Sequence, residues 1–477
     1  MSHLYEALSQ RIAAGIDQGL YRPGERLPGI RTTSREEGVS PATVVAAYQT
    51  LEENGYLEAR PRSGFFVKPQ QRSVRAEPSV SRPLPQPSSV TGQQLVLDLL
   101  RNISRDDVVQ LGANVADARY LPTATIARAS RRVVHQHQQR LAEYEAPPGL
   151  PELRGLLADR MSNLGCATLD EDVVVTAGCQ EAVHLALKSV TQPGDLVAIE
   201  SPTYYGLLQA LDSLGLKALE IPTHPRDGMS IPALQLALQQ WPVKACVLVA
   251  NFSNPMGGLM PERHRDELAS LLAEYPEVTL IEDDIYGDLA HSAFRPSLLR
   301  TTELGDRVIY CSSFSKSLSA GLRVGWAVSR QYAQQLAYEK FVSSCVTSVI
   351  NQLVTVELLR SGGYERHLRG MRVALAQNVA RLTAKVAEHF PASCRITRPQ
   401  GGMAIWVELP RGVDTTELFY QAVAQGVSFA PGQIFSTDAQ RYRHCLRLNA
   451  GVWWTEQVGE GLATLGTLIK QHLPADV

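Results

Sequence analysis

Of 477 residues only eight are lysine, at positions 68, 188, 217, 244, 316, 340, 385 and 470, so any chemistry that needs a lysine has few candidates. Cysteine is nearly as scarce. The seven, at 166, 179, 246, 311, 345, 394 and 445, show no CxxC pairing, and an odd, scattered set suits reduced thiols better than a disulfide framework or a zinc site. No stretch approaches the ~18 consecutive apolar residues of a membrane span. Glu6 and Arg11 interrupt the N-terminus before the apolar run a signal peptide would need. Neither sign of charge dominates, with 46 Lys+Arg against 48 Asp+Glu and a formal net charge of -2, which argues mildly against nucleic acid. No repeat of 20 to 50 residues is visible, which disfavours a solenoid. A cytoplasmic protein is therefore expected, 44% apolar and large enough for about two to four domains.

Local composition divides the chain. From Gln70 to Gln94, Pro78, Pro83, Pro85 and Pro87 sit among serines with few large apolar residues, so residues 70–94 are expected to form an extended, semi-rigid linker. Residues 1–69 hold 8 basic and 8 acidic side chains, the linker 3 and 1, and residues 95–477 hold 35 and 39. The small domain is thus neutral, the linker +2 and the large domain -4.

In the first domain Leu4, Leu8, Ile12 and Ile16 form an apolar stripe at helical spacing, ended by Gly19. A turn at Arg22-Pro23-Gly24 leads to a short helix from Ile30 to Glu37, stopped by Gly38. Ser40 then offers an N-cap oxygen, and Pro41 takes the first helical position, where a missing N–H costs nothing. Val44, Ala47, Tyr48 and Leu51 mark the buried face of this third helix up to Asn54 and Gly55. Two short strands, Tyr56–Arg60 and Phe65–Lys68, join through Pro61-Arg62-Ser63-Gly64. The layout is a winged helix-turn-helix.

The stretches LYRPGERLPGIR and GVSPATVVAAYQTLEENGYLEARPRSGFFV resemble the GntR family of bacterial DNA-binding domains over nearly all of residues 3–69. The resemblance implies a third helix in the major groove and a wing tip at the minor groove. Arg31, Ser40, Thr43, Arg62 and Gly64 are then the DNA contacts, with Ser40 and Thr43 on phosphate and Gly64 allowing close backbone approach. Pro41 and Val45 stand where family members usually carry arginines, so direct guanine readout is lost from that helix. Arg31, Arg60, Arg62 and Lys68 are expected to cluster while the acids sit elsewhere. Such a neutral head binds weakly alone, so two heads on one dimer would be needed.

From Leu95 onward helical stretches alternate with short β-rich runs: Val173–Thr176, Leu196–Glu200, Ala245–Val249, Thr279–Asp283 and Arg307–Cys311. Runs apolar on both faces and separated by helices predict a mainly parallel sheet covered on both sides, with ligands bound in the loops after its strands. Residues 311–326, CSSFSKSLSAGLRVGW, place Lys316 after such a strand with Ser313, Ser315 and Arg323 nearby. A lysine that forms an imine needs a desolvated setting that lowers its pKa, while hydroxyls and a guanidinium can hold a phosphate dianion. This motif matches the pyridoxal-phosphate lysine of fold-type I aminotransferases, and four further motifs fall in that family's order over roughly residues 95–475.

TAGCQEAVHLAL resembles the first cofactor loop, implying that the backbone of Cys179 and Gln180 meets phosphate at a helix N-terminus. Cys179 by itself reads as a buried thiol. SPTYYGLL implies that Tyr204 stacks on the pyridine, and NFSNPMGG that Asn254 donates to the cofactor's phenolic oxygen. IEDDIYGDL sets Asp283 at a strand end, where it can pair with the pyridine nitrogen and make the ring an electron sink. Tyr286 then reaches the phenolic oxygen, while Glu282 and Asp284 read as solvated or capping carboxylates. By the same resemblance Tyr144 is lent across a homodimer interface to the partner's phosphate, and Arg447 forks onto an effector or substrate carboxylate. His135 and His137 alternate as metal ligands can, but without a third ligand they read as exposed helix residues, and no metal is expected.

A winged helix joined through a proline-rich linker to an aminotransferase-like domain is similar to the MocR subfamily of GntR regulators. The implied fold is an N-terminal winged helix-turn-helix plus an α/β type I aminotransferase fold with a mainly parallel central sheet and a smaller C-terminal subdomain. The implied function is a transcriptional regulator that binds operator DNA, holds pyridoxal phosphate and senses an amino compound. Two other readings stay open: an active aminotransferase carrying a DNA-binding domain, and a large domain serving only as a dimerisation scaffold.

Overall fold

The computed structural model describes residues 4–17, 21, 24–53, 56–60, 64–68, 75–82, 86–89, 93–102, 105 and 107–473. They belong to two compact units, residues 1–74 and 75–477.

The first unit is built from α1 (Leu4–Asp17), α2 (Ile30–Glu37) and α3 (Pro41–Glu53), followed by β1 (Leu57–Arg60) and β2 (Gly64–Val67). α2 stops where Gly38 turns left-handed at φ 62° and donates its N–H to Ser34 O. α3 starts where Ser40 Oγ accepts from Thr43 N at 3.1 Å, as an N-cap should. Leu8, Ile12, Val44, Ala47, Tyr48, Leu51, Leu57 and Val67 form the core, although Leu4, the first member of the α1 stripe, is exposed. Tyr48 is buried because its hydroxyl finds Pro28 O and Thr33 Oγ1, each at 2.8 Å. β1 and β2 pair antiparallel from Leu57↔Val67 to Arg60↔Gly64, and Gly64 at φ 98° takes a backbone conformation that favours glycine.

The second unit begins with a strap. Its described residues lack regular structure, as the composition requires, yet they are bonded to the unit they precede. Arg75 donates to the carbonyls of Ala387 and Phe390 at 2.7 and 2.9 Å, and Ile396 N donates to Ala76 O at 3.0 Å. Ser79 gives its N–H and hydroxyl to Glu408, Ser81 Oγ accepts from Thr223 N at 2.8 Å, and Ser88 bridges Ala218. The expectation of a linker over 70–94 is corrected for these residues: polar side chains that cannot build a core still satisfy backbone groups along a neighbouring surface. α4 (Gln93–Asn102) and β3 (Val109–Gln110) follow.

The central sheet has eight strands in the order Val173–Thr176, Gly325–Val328, Val308–Ser313, Thr279–Asp283, Val243–Leu248, Leu196–Ser201, Lys217–His224 and Gly228–Met229. Pairing is parallel from Val308–Ser313 through Lys217–His224 and antiparallel at the strands that flank this block. Alternate residues feed two cores: Val197, Ile199, Val247, Ile281 and Ile309 pack in one, Ala198, Cys246, Leu248, Leu280 and Val308 in the other. That is why these runs are apolar at every position. A smaller antiparallel sheet joins Arg395–Ile396, Ala404–Glu408, Cys445–Asn449 and Ala430–Pro431, while β3 pairs in parallel with Val427–Ser428. Among the described residues no helix is long and apolar enough to cross a membrane.

Candidate functional site

The C-terminal ends of the parallel strands open into a cavity lined by Cys179, Gln180, Tyr204, Asn254, Asp283, Tyr286, Ser315, Lys316 and Arg323, together with Thr203, Val249 and Ile285. Asp283 is the last residue of its strand, and Lys316 lies in the turn between Val308–Ser313 and Gly325–Val328. Residues far apart in sequence thus meet because parallel strands deliver their ends to one edge.

Lys316 is half-buried, and desolvation with the nearby Arg447 charge lowers its pKa to about 8 despite the opposing pull of Asp283. Its Nζ donates to Asn114 O at 2.6 Å. Burial pushes Asp283 up to about 6, while the Cys179 thiol and the Ile285 N–H, at 3.1 and 3.2 Å from Oδ1, support its ionised form. Burial also raises Tyr286, against the Arg447 charge and the Asn114 amide, which donates to its hydroxyl at 2.8 Å.

At the other end of the cavity, the helix Cys179–Val190 begins after Gly178, whose φ is 99°. A Cβ on Gly178 would lie 2.5 Å from Arg323 Nη2, and one on Gly325 would lie 2.5 Å from the Gly178 backbone. These two glycines let Arg323 lie against the helix start, where Nη2 donates to Ala177 O at 2.6 Å and Nη1 to Ser315 Oγ at 3.2 Å. A guanidinium, a hydroxyl and a helix N-terminus together make a cradle for a phosphate. The donor set fits pyridoxal phosphate: phosphate cradle, amine of lowered pKa, acid at a strand end, and the side-chain amide and hydroxyl of Asn254 and Tyr286.

Three expected residues stand apart from the lining. Ser313 is buried at the strand end, with its Oγ accepting from Ser315 N at 3.3 Å, and so shapes the turn. Tyr144 is 85% exposed. Arg447 is fully buried beside the cavity, with Nη1 on Asn254 Oδ1 at 3.1 Å and Nη2 on Gly112 O, and its guanidinium stands 5.5 Å from the Phe435 ring. Burial lowers its pKa.

Glu282 and Asp284 correct an expectation, for both are buried. Leu299 N donates to Glu282 at 3.0 Å. Asp284 accepts from Asn251 Nδ2 and the Tyr310 hydroxyl at 2.8 and 2.9 Å and pairs with Arg295. Arg295 also reaches Asp288 at 2.7 Å, as do Arg160 and the Tyr364 hydroxyl. Ser317, next to Lys316, contacts Tyr364 at 2.7 Å and His367 at 2.8 Å, so this network braces the lysine turn. Nothing in the spacing of IEDDIYGDL signals it, because the arginines come from other elements.

In the first unit Arg31, Arg35, Arg60 and Lys68 are exposed, and Arg62 lies outside the described residues. Ser40 and Thr43 touch each other, hydroxyl to hydroxyl, at 2.8 Å. The expected separation of acids from bases fails at the wing: Glu58 meets Arg60 at 3.2 Å on the same strand, while the Arg60 guanidinium sits 4.4 Å from the Phe66 ring.

Two family models match the chain, aminotransferase class I and II over residues 106–463 and the bacterial regulatory proteins of the gntR family over residues 4–67. The chain is 38% identical to the uncharacterized HTH-type transcriptional regulator YjiR of Escherichia coli, covering 98% of this chain and 99% of that protein. It is 35% identical, with the same coverage, to the uncharacterized HTH-type transcriptional regulator YdcR of the same organism. Among solved structures, the α-aminoadipate aminotransferase LysN from Thermus thermophilus, complexed with N-(5'-phosphopyridoxyl)-L-leucine, matches with a TM-score of 0.72 and 30% identity. That match covers 79% of this chain and 94% of LysN.

Proposed function

We propose, from the premise that this chain belongs to the aminotransferase class I and II family and joins to it a GntR-family helix-turn-helix, that it is a pyridoxal-phosphate-dependent regulator sensing a carboxylated amino compound. The observation that carries the reading is the convergence of Lys316, Asp283, Tyr286, Asn254, Ser315 and Arg323 on one cavity, in a chain that also carries a DNA-binding head.

Lys316 would hold the cofactor covalently, Asp283 its ring nitrogen, and Asn254 and Tyr286 its phenolic oxygen. Arg323, Ser313, Ser315 and the backbone of Cys179 and Gln180 would hold the phosphate, with Tyr204 on the ring face and Tyr144 reaching the phosphate of a second copy. When bound, pyridoxal phosphate supplies an electrophilic carbon for an amine and a ring that withdraws electrons. Arg447 would take the effector's carboxylate in a bidentate grip that lysine cannot copy. In the head, Arg31, Ser40, Thr43, Arg62 and Gly64 would contact DNA, the third helix in the major groove. An effector shifts DNA affinity only by its difference in affinity between two states of the protein.

Binding to DNA upstream of neighbouring genes, measured with and without pyridoxal phosphate, tests the regulator. Sequence-preferring binding that the cofactor or an amino acid alters is expected. Its absence in both conditions overturns the reading. Lys316→Ala should remove the long-wavelength absorbance of the lysine-linked cofactor, and an unchanged spectrum would sink the cofactor assignment. The intact set Asp283, Tyr286, Lys316 and Arg447 supports a second reading as a working aminotransferase. Steady keto-acid production from an amino-acid panel favours it, whereas a stoichiometric spectral change without keto acid favours the sensor.

A further inference from the structure

Three of the groups assigned above are held by one short span. Gly112 O accepts from Arg447 Nη2, Asn114 O accepts from Lys316 Nζ at 2.6 Å, and Asn114 Nδ2 donates to the Tyr286 hydroxyl at 2.8 Å. The span is pinned on both sides. Leu111 N donates to Ser428 O at 3.0 Å, Asn449 N donates to Leu111 O at 2.9 Å, and Asn449 Nδ2 donates to Val115 O at 2.9 Å. Asn449 lies two residues beyond Arg447 on the strand Cys445–Asn449, so the residue proposed to take a carboxylate and the residue that anchors the span share one strand. Two buried polar atoms here lack partners among the described residues: Arg447 Nε, a donor, and Asn114 Oδ1, an acceptor.

A backbone carbonyl presents to a cation what one oxygen of a carboxylate presents, without the charge. Arg447 is fully buried beneath Gly112, so an effector's carboxylate reaches it only when the Gly112 carbonyl withdraws. The exchange is favourable because a charged acceptor binds a guanidinium more strongly than a neutral one and can also satisfy Nε. We propose that residues 112–114 are a ligand-displaced plug: the Gly112 carbonyl occupies the carboxylate site, and Asn114 is the positioning residue that fastens the plug, through its amide to Tyr286 and through its carbonyl to Lys316 while that amine is free. The inference rests on the cofactor and carboxylate reading given above.

The plug lowers apparent affinity for carboxylated amines by the fraction of molecules in which it is seated. It also gives displacement a covalent route toward the head, because β3, α4 and the strap lie between it and residue 74. Gly112 is wedged against this route. A Cβ there would meet Ser428 Oγ at 2.8 Å, Leu99 Cδ1 of α4 at 2.9 Å and the Phe429 backbone at 3.0 Å, so any side chain at 112 works against the seated position.

The test uses the full chain loaded with pyridoxal phosphate, titrated spectroscopically with a panel of L-α-amino acids, each beside the amine that lacks its carboxylate. Only the carboxylated member must unseat the plug. Asn114→Ala removes one plug hydrogen bond and should raise affinity for the amino acid about fivefold more than for its amine. Gly112→Ala should act in the same direction. Hydrogen exchange at residues 111–115 should rise when the amino acid, but not the amine, is added to the unmutated protein. Equal changes for both ligands in Asn114→Ala, or no change in exchange, overturns the plug while leaving the cofactor reading intact. Absence of lysine-linked absorbance in the unmutated protein overturns that reading, and the plug with it.

Discussion

In the large unit Asp284 and Asp288 are shut away with Arg295 and Arg160, whereas in the head Arg11 meets Glu37 and Arg60 meets Glu58 at the surface. The contrast follows from what each unit must do with charge. A cavity that lowers the pKa of Lys316 to about 8 has to exclude water, so the acids beneath it must be neutralised by buried partners. A surface that meets phosphates works in the opposite way, keeping its guanidinium groups in water until they displace the counterions condensed on DNA. Formal net charge, averaged over 477 residues, conceals both arrangements.

The largest effect expected from this contrast is on Asp288. Burial alone would raise its carboxyl, but Arg160 and Arg295 outweigh that and hold it well below the usual carboxylate range. Asp288→Ala would leave those two arginines without a shared partner in a buried place, a loss of about 3–5 kcal/mol. Urea unfolding of the full chain, followed by a signal from the large unit, measures it. A loss below about 1 kcal/mol would place the network in the same class as the head's surface pairs and break the contrast.

Next comes pH. Lys316 falls from the ordinary 10.5 to about 8, so at pH 7 about a tenth of it is the neutral amine rather than less than a thousandth. Attachment of pyridoxal phosphate to the cofactor-free protein should therefore speed up as pH rises and level off above about 8, which stopped-flow absorbance can follow. The same shift has a stability sign. Between about 8 and 10.5 the unfolded chain binds the proton that the folded chain does not, so the cofactor-free protein gains stability with rising pH across that window. A midpoint near the ordinary lysine value of 10.5 would show the lysine to be solvated and remove the reason for the buried network.

How much of this could be read in the sequence follows the same division. In the head, helix stripe, N-cap, left-handed Gly38 and wing glycine are local signals, and α2, α3 and the hairpin begin and end within a residue or so of where spacing predicts. In the large unit the strand-end motifs were legible because each carries its chemistry within a few residues. The Asp284 network and the plug were not. Asn114 lies in LGANVADARYLP, which has no periodicity or motif to mark it, and its role comes from carbonyl directions that only the folded β3 and Cys445–Asn449 strands set. The strap escaped for a related reason: proline and serine announce the lack of a core, not the presence of backbone partners on a neighbouring surface.

A smaller effect is expected at the start of α3. Ser40→Ala removes the cap that accepts from Thr43 N and should cost about 1 kcal/mol, confined to the head's own unfolding. Its loss of DNA binding should exceed what that destabilisation explains if Ser40 also touches phosphate. Affinity measured well below the head's melting temperature separates the two contributions.

The smallest effect is expected at Arg11, whose side chain is 60% exposed where it meets Glu37. Arg11→Ala should change the head's stability by less than about 1 kcal/mol, because an exposed pair gains little in high dielectric and gives up side-chain entropy to form. Thermal melts at low and high salt check this, and the difference between them should also be slight. A large, salt-sensitive loss would mean that the head depends on its ion pairs as the large unit does. With a small one, losses of DNA affinity on replacing Arg31 can be assigned to contact with phosphate rather than to unfolding, because the head's surface charges then bear on its partner and hardly at all on its own fold.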